Sequence, residues 1–155
     1  MSIKPVEILL VEDNPGDIRL TIEAFKESKI PNNLNIAEDG IEAINYLKGK
    51  GKFKDKYLPD IIILDLNLPK KDGREVLAEI KEDKQFMHIP VVIFTTSKAE
   101  SDLFKSYDLH ANCYISKPLN MTQFIDIVKA VELFWFTIVS LPAHDYYTGK
   151  KATVL

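Results

Sequence analysis

Five short apolar runs, each followed by an amphipathic stretch, constrain what this chain can fold into more than any other feature. They lie at residues 7–11, 34–37, 61–64, 91–94 and 113–115. Strand and helix alternating in this way predict an α/β sandwich with right-handed crossovers around a parallel five-stranded sheet. The first, third and fourth runs are almost continuously apolar, as strands covered on both faces tend to be, so they should form the middle of the sheet.

The intervening stretches carry helix signals. Asn14 reads as an N-cap with Pro15 at the first helical position and Asp17 in the first turn, and Ile18, Ile22 and Phe25 form the buried stripe. Gly40 precedes a second helix with Ile41, Ile44 and Leu47 on one face. Pro69 and Asp72-Gly73 mark a turn before a third, in which Val76, Leu77 and Ile80 face inward. A fourth, near residues 100–109, has Leu103 and Phe104 as its main apolar residues. The fifth is expected over residues 122–139 after an Asn120 cap.

Composition narrows the class. With 155 residues, 46% hydrophobic and 28% charged, the chain suits one globular domain, and at this size folding removes roughly 68–70% of the unfolded chain's surface. The single cysteine, Cys113, has no partner within the chain, which fits a reducing cytosol. The longest apolar runs are four residues, against the ~18 that suggest a spanning helix, so no membrane crossing is expected. The N-terminus lacks the pattern of a secretory signal. Twenty Lys+Arg against 23 Asp+Glu give a net charge of −3, which offers no field for a nucleic acid. Lys48, Lys50, Lys52, Lys54 and Lys56 are expected in a solvated loop.

In open parallel sheets ligands collect outside the carboxyl ends of the strands. Glu12 and Asp13 follow the first run, Asp65 the third, Thr95 and Thr96 the fourth, and Ser116, Lys117 and Pro118 the fifth. Taken singly, an Asp after a strand reads as a cap, two acids as the start of a helix and a Lys before Pro as a surface turn. Their convergence is what signals chemistry. Three carboxylates at one edge repel by roughly 4 kcal/mol per pair at 4 Å and an effective dielectric near 20. Oxygen-only donors select a hard ion, so Glu12, Asp13 and Asp65 are predicted to hold Mg²⁺, with the Asn67 main-chain carbonyl as a further candidate ligand. A carboxylate beside Mg²⁺ can attack a phosphoryl donor and become an acyl phosphate, with Lys117 supplying an ammonium and Thr95 a hydroxyl.

At these spacings the stretches "ILLVEDNPGD", "IIILDLNLPKKDG", "VVIFTTS" and "YISKPLN" resemble the receiver domain of bacterial two-component response regulators, across about residues 6–139. The resemblance implies a flavodoxin-like (βα)5 fold with strand order 2-1-3-4-5. It implies a receiver domain over residues 1–140, a tail at 141–155, and a cytoplasmic phosphoacceptor rather than an enzyme with an external substrate. On it, Asp65 takes the phosphoryl group from a sensor histidine kinase and Glu12 and Asp13 bind the metal. Thr95 and Tyr114 switch, Lys117 contacts the phosphoryl group, and Pro118 follows a commonly cis bond. The stretch "LNLPKKDGREVLAEIK", the lysine-rich insertion and "FWFTIVSLP" are similar to single-domain regulators paired with cyanobacterial-type phytochrome kinases. Thr96 stands where a smaller residue is commoner, and its branched side chain is expected to narrow access to Asp65 and slow phosphotransfer or hydrolysis. Leu68 stands where Met is usual, a volume-conserving exchange.

With residues 140–155 alone following the last helix, output is expected from the domain itself. Phe124, Ile127, Val128, Val131, Trp135 and Ile138 form one stripe. Ile125, Leu133, Phe134 and Phe136 extend apolar surface around the helix, and the part around Leu133, Phe134 and Phe136 is expected to meet the tail or a second subunit, so a homodimer through the last helix and tail is expected. Three rivals compete. A haloacid dehalogenase-type phosphohydrolase needs a second Asp where Asn67 stands. A flavin or nucleotide domain needs a Gly-rich loop after the first strand. A pseudo-receiver that binds partners without phosphorylation would have no use for the complete acidic set.

Overall fold

The computed structural model describes residues 4–95, 113–116 and 120–139, with the backbone alone at 94, 95, 113–116, 121, 123 and 134–139. The strands are β1 (Val6–Val11), β2 (Asn32–Ala37), β3 (Ile61–Asp65), β4 (Val91–Thr95) and β5 (Cys113–Ser116). The helices are α1 (Pro15–Lys26), α2 (Gly40–Leu47), α3 (Gly73–Glu82) and, last in the chain, α4 (Met121–Val139). All strand pairs are parallel, in the order β2-β1-β3-β4-β5, so the expected doubly wound sheet is present with β1, β3 and β4 innermost. The fourth amphipathic stretch, near 100–109, lies outside the described residues. Among the described residues no helix is long and apolar enough to cross a membrane.

The period-2 alternation of the strands sorts the core into two layers. Ile8, Leu10, Ile61, Ile63 and Val92 pack with Phe25 of α1 and with Phe124, Ile127, Val128 and Val131 of α4. Leu9, Val11, Ile62, Leu64, Val91 and Ile93 face α2 and α3, meeting Ile44, Leu47, Val76, Leu77 and Ile80. Leu68 packs against this second layer, as a volume-conserving exchange would allow. Three helix starts carry side-chain caps: Asn14, Asp39 and Asp72 accept from the amides of Asp17, Glu42 and Arg74.

Three local expectations need correction. β2 begins at Asn32, two residues before the predicted run, because Asn32 and Asn33 pair in register with Val6 and Glu7. The Asn33 side chain donates to Glu7 Oε2 at 2.6 Å, and that of Asn32 to the Phe25 and Ile30 carbonyls. Ile41 is not part of the buried face of α2. It is 49% exposed, and Ala43, Ile44, Tyr46 and Leu47 are buried in its place. The lysine-rich insertion is only in part a solvated loop: its lysines are exposed, but Phe53 in a short 3₁₀ turn (Gly51–Phe53) is buried against Tyr46, ring centroids 5.2 Å apart.

Tyr46 itself carries a testable strain. Its hydroxyl is buried and meets no hydrogen-bond partner among the described residues. Burial, with a smaller contribution from the Glu7 carboxylate, pushes its pKa up to about 12. A folded chain that keeps this proton loses stability relative to the unfolded chain as pH climbs from 10 towards 12, by roughly 2–3 kcal/mol at 1.36 kcal/mol per unit. Tyr46→Phe is expected to raise neutral-pH stability by about 1 kcal/mol, since it removes an unmet buried polar group. It should also flatten that alkaline decline, and urea unfolding of both proteins across the pH range checks both effects.

Candidate functional site

Register decides what meets at the sheet's carboxyl edge. Val11 pairs with Leu64, so the next residues, Glu12 and Asp65, stand at one level. Asp65 in turn pairs with Phe94, which places Thr95 one residue further along the same edge, paired with Ser116. Carboxylate oxygens of Glu12, Asp13 and Asp65 lie within 4.8 Å of one another. Glu12 and Asp65 are 0% and 2% exposed, while Asp13 opens to solvent. Each buried acid is oriented by a nearby amide: Glu12 Oε2 accepts from Asn14 N at 3.2 Å and Asp65 Oδ1 from Asn67 N at 3.0 Å.

The connection from β3 to α3 is fastened at both ends. A Cβ at Gly73 would collide with the Asp65 carbonyl and Leu66 Cα, so only glycine lets α3 start flush against the end of β3. Gly73 N donates to the Leu66 carbonyl at 3.1 Å. Midway, Lys70 adopts φ 65° and reaches Asp39 Oδ2 at 3.3 Å. Burial alone would raise the Asp39 carboxyl, but the Glu42 amide, the Lys70 ammonium and the Ile41 amide outweigh it and hold the group below the ordinary carboxylate range. Neither Lys70 nor Asp39 stood out in the sequence. The one signal was Asp39-Gly40 ahead of a helical pattern, an N-cap.

Of the predicted site residues, then, Glu12, Asp13 and Asp65 converge, with the Asn67 backbone against Asp65. Thr95 and Tyr114 sit in β4 and β5, their side chains not described; Thr96, Lys117 and Pro118 lie outside the described residues. Leu133 is 70% exposed on α4, where Phe134 and Phe136 are described by backbone alone. The donor set suits a hard divalent cation such as Mg²⁺: three carboxylates, no nitrogen or sulfur, two of them buried beside each other.

Comparison with known proteins assigns the family. The model of the response regulator receiver domain matches residues 8–129. The chain belongs to the response regulator receiver family. This receiver is 48% identical over 142 residues to response regulator Rcp1 of Synechocystis sp., covering 92% of this chain and 97% of Rcp1. It resembles the crystal structure of the phosphorylated cyanobacterial phytochrome response regulator RcpA with a TM-score of 0.77 and 52% identity, over 90% of this chain and 99% of RcpA. It also resembles the Mn²⁺-bound form of Rcp1, with a TM-score of 0.74 and 48% identity, over 84% and 94% of the two chains. Receiver domains act as phosphoacceptors, and membership implies a sensor histidine kinase as partner. The dehalogenase and nucleotide-domain readings find no support.

Proposed function

We propose that this receiver takes a phosphoryl group at Asp65, with Mg²⁺ held by Glu12, Asp13, Asp65 and the Asn67 carbonyl, from a sensor histidine kinase of the phytochrome type. The observation that carries the reading is the convergence of Glu12, Asp13 and Asp65 with Asp65 buried at the end of β3. The similarity to RcpA and Rcp1 supports the phytochrome link, and a reducing cytoplasm suits the single unpaired cysteine. A carboxylate oxygen of Asp65 attacks phosphorus, the bond from phosphorus to the kinase histidine nitrogen breaks, and its electron pair leaves with the imidazole. Mg²⁺, when bound, offsets the negative charge that gathers on the acids and the phosphoryl oxygens. Burial of Asp65 keeps the acyl phosphate from water, and the Asn67 amide fixes the rotamer of the attacking group. Lys117 then contacts the phosphoryl group, Thr95 turns its hydroxyl to it, and Tyr114 follows.

The energetics set the size of the response. A charge-assisted hydrogen bond contributes about 1.5–3 kcal/mol and a neutral one about 0.5–1.5, whereas a swing from 1:99 to 99:1 needs about 5.5. Lys117 and Thr95 therefore shift the population in part, and a partner completes the switch. That partner includes a second copy of the chain: Ile125 and Leu133 expose apolar surface on α4. Light scattering at high micromolar concentration is expected to report a dimer, and a strictly monomeric mass contradicts it. The metal reading is tested by calorimetric titration with Mg²⁺. The wild-type protein is expected to bind in the millimolar range or tighter and Asp13→Asn to lose affinity by about 10–100-fold; no binding by the wild type overturns the reading.

A further inference from the structure

The connection that carries Asn67 is anchored on a helix that contributes no acid to the site. Lys70 is the one non-glycine residue among those described with a left-handed backbone. A side chain bearing Cβ holds that conformation only where its surroundings over-determine it. Here the surroundings are the first turn of α2. The Lys70 ammonium lies 3.3 Å from Asp39 Oδ2, while Asp39 Oδ1 accepts from Glu42 N at 2.8 Å, so one carboxylate both caps α2 and receives the loop. At the next pair of positions, Gly40 is so close to Lys71 that any Cβ would overlap the Lys71 carbonyl. Two consecutive loop residues thus seat on the N-cap and the first residue of α2. Lys71 is further paired with Glu79 of α3.

We propose that Lys70 and Gly40 are positioning residues for the acidic site: seated on α2, they hold the β3–α3 connection in the one conformation that keeps the Asn67 backbone against Asp65 and available to the ion. The inference rests on the reading of Glu12, Asp13 and Asp65 as a Mg²⁺ site. By reciprocity, occupancy of that site is felt at the first turn of α2, and a partner that presses there changes metal affinity.

Lys70→Gly separates positioning from charge and from stability. On charge alone, loss of a cation from the connection that carries Asn67 tightens Mg²⁺ binding. Glycine also relieves the left-handed backbone, and the lost ion pair is largely exposed on the lysine side, so the metal-free thermal midpoint is expected to stay or rise. Positioning predicts the opposite for the ion: affinity weakened by about tenfold, the lower end of what supporting residues contribute around metals. Titration with Mg²⁺ alongside metal-free melting reads both quantities. Affinity equal to or tighter than wild type overturns the proposal, as does a weakening that merely accompanies a lowered midpoint. Gly40→Ala, which pushes Lys71 outward, is expected to weaken Mg²⁺ as well. If it fails to fold, Lys70→Gly carries the test. A wild-type protein that takes no Mg²⁺ overturns the site reading and this inference together, whereas normal wild-type binding, weakened by Asp13→Asn and unchanged in Lys70→Gly, overturns the inference alone.

Discussion

Asp65→Asn is expected to make the metal-free protein more stable by about 1–3 kcal/mol while removing its ability to accept a phosphoryl group. The carboxylates of Glu12 and Asp65 are buried within 4.8 Å of each other. At that distance and an effective dielectric near 20 two like charges repel by roughly 3.5 kcal/mol, part of which Asp13 and solvent modulate. The amide is isosteric with the carboxylate and its oxygen can still accept from Asn67 N, so the change removes one of two neighbouring buried charges. Adding Mg²⁺ should narrow the difference: the wild type gains about 2.7 kcal/mol at a hundredfold excess over its dissociation constant, and the variant, short of one ligand, gains less. Urea unfolding with and without Mg²⁺ measures all four states. A variant less stable than wild type without metal contradicts the electrostatic account.

Phe124→Ala is expected to cost about 3–5 kcal/mol, a large share of the 5–15 kcal/mol typical of a domain. Phe124 is fully buried in the first turn of α4, in the layer shared with Ile8, Leu10, Ile63 and Phe25. Its amide donates to the Asn120 carbonyl at 3.1 Å, so the side chain sits where the helix begins. Truncation leaves a cavity between α4 and the sheet and loosens the helix that follows β5. Leu133→Ala on the exposed side of the same helix is expected to stay within about 0.5 kcal/mol for the monomer. The contrast in urea midpoints checks whether α4 is held by the Phe124 stripe.

Sequence patterns were informative where the physics is local or convergent. The Asn14–Pro15 cap follows from one helical turn, and the almost continuously apolar runs mark the strands that are innermost. Glu12, Asp13 and Asp65 stood out because separate strand ends delivered matching chemistry, and the register brings them together. Where tertiary partners decide, the pattern misleads. Asn32 and Asn33 are poor strand formers in isolation, yet β1 and the buried Glu7 recruit them into β2. Helical spacing puts Ile41 beside Ile44, but the face that α2 buries is made by Ala43, Ile44, Tyr46 and Leu47. Phe53 is buried with its ring against Tyr46 in the core layer of α2 and α3, a partner its own stretch of sequence does not show. Lys70 carries no local signal for a left-handed backbone, and its conformation is imposed by Asp39 and by the closeness of Gly40 to Lys71.

The most direct test of the phosphoacceptor account is intact-protein mass after incubation with a small phosphodonor, with and without Mg²⁺, on the wild type and Asp65→Asn. The account predicts the increment of one phosphoryl group on the wild type, in the presence of Mg²⁺ only, and none on the variant. An unmodified wild-type protein, or equal modification of Asp65→Asn, would contradict it.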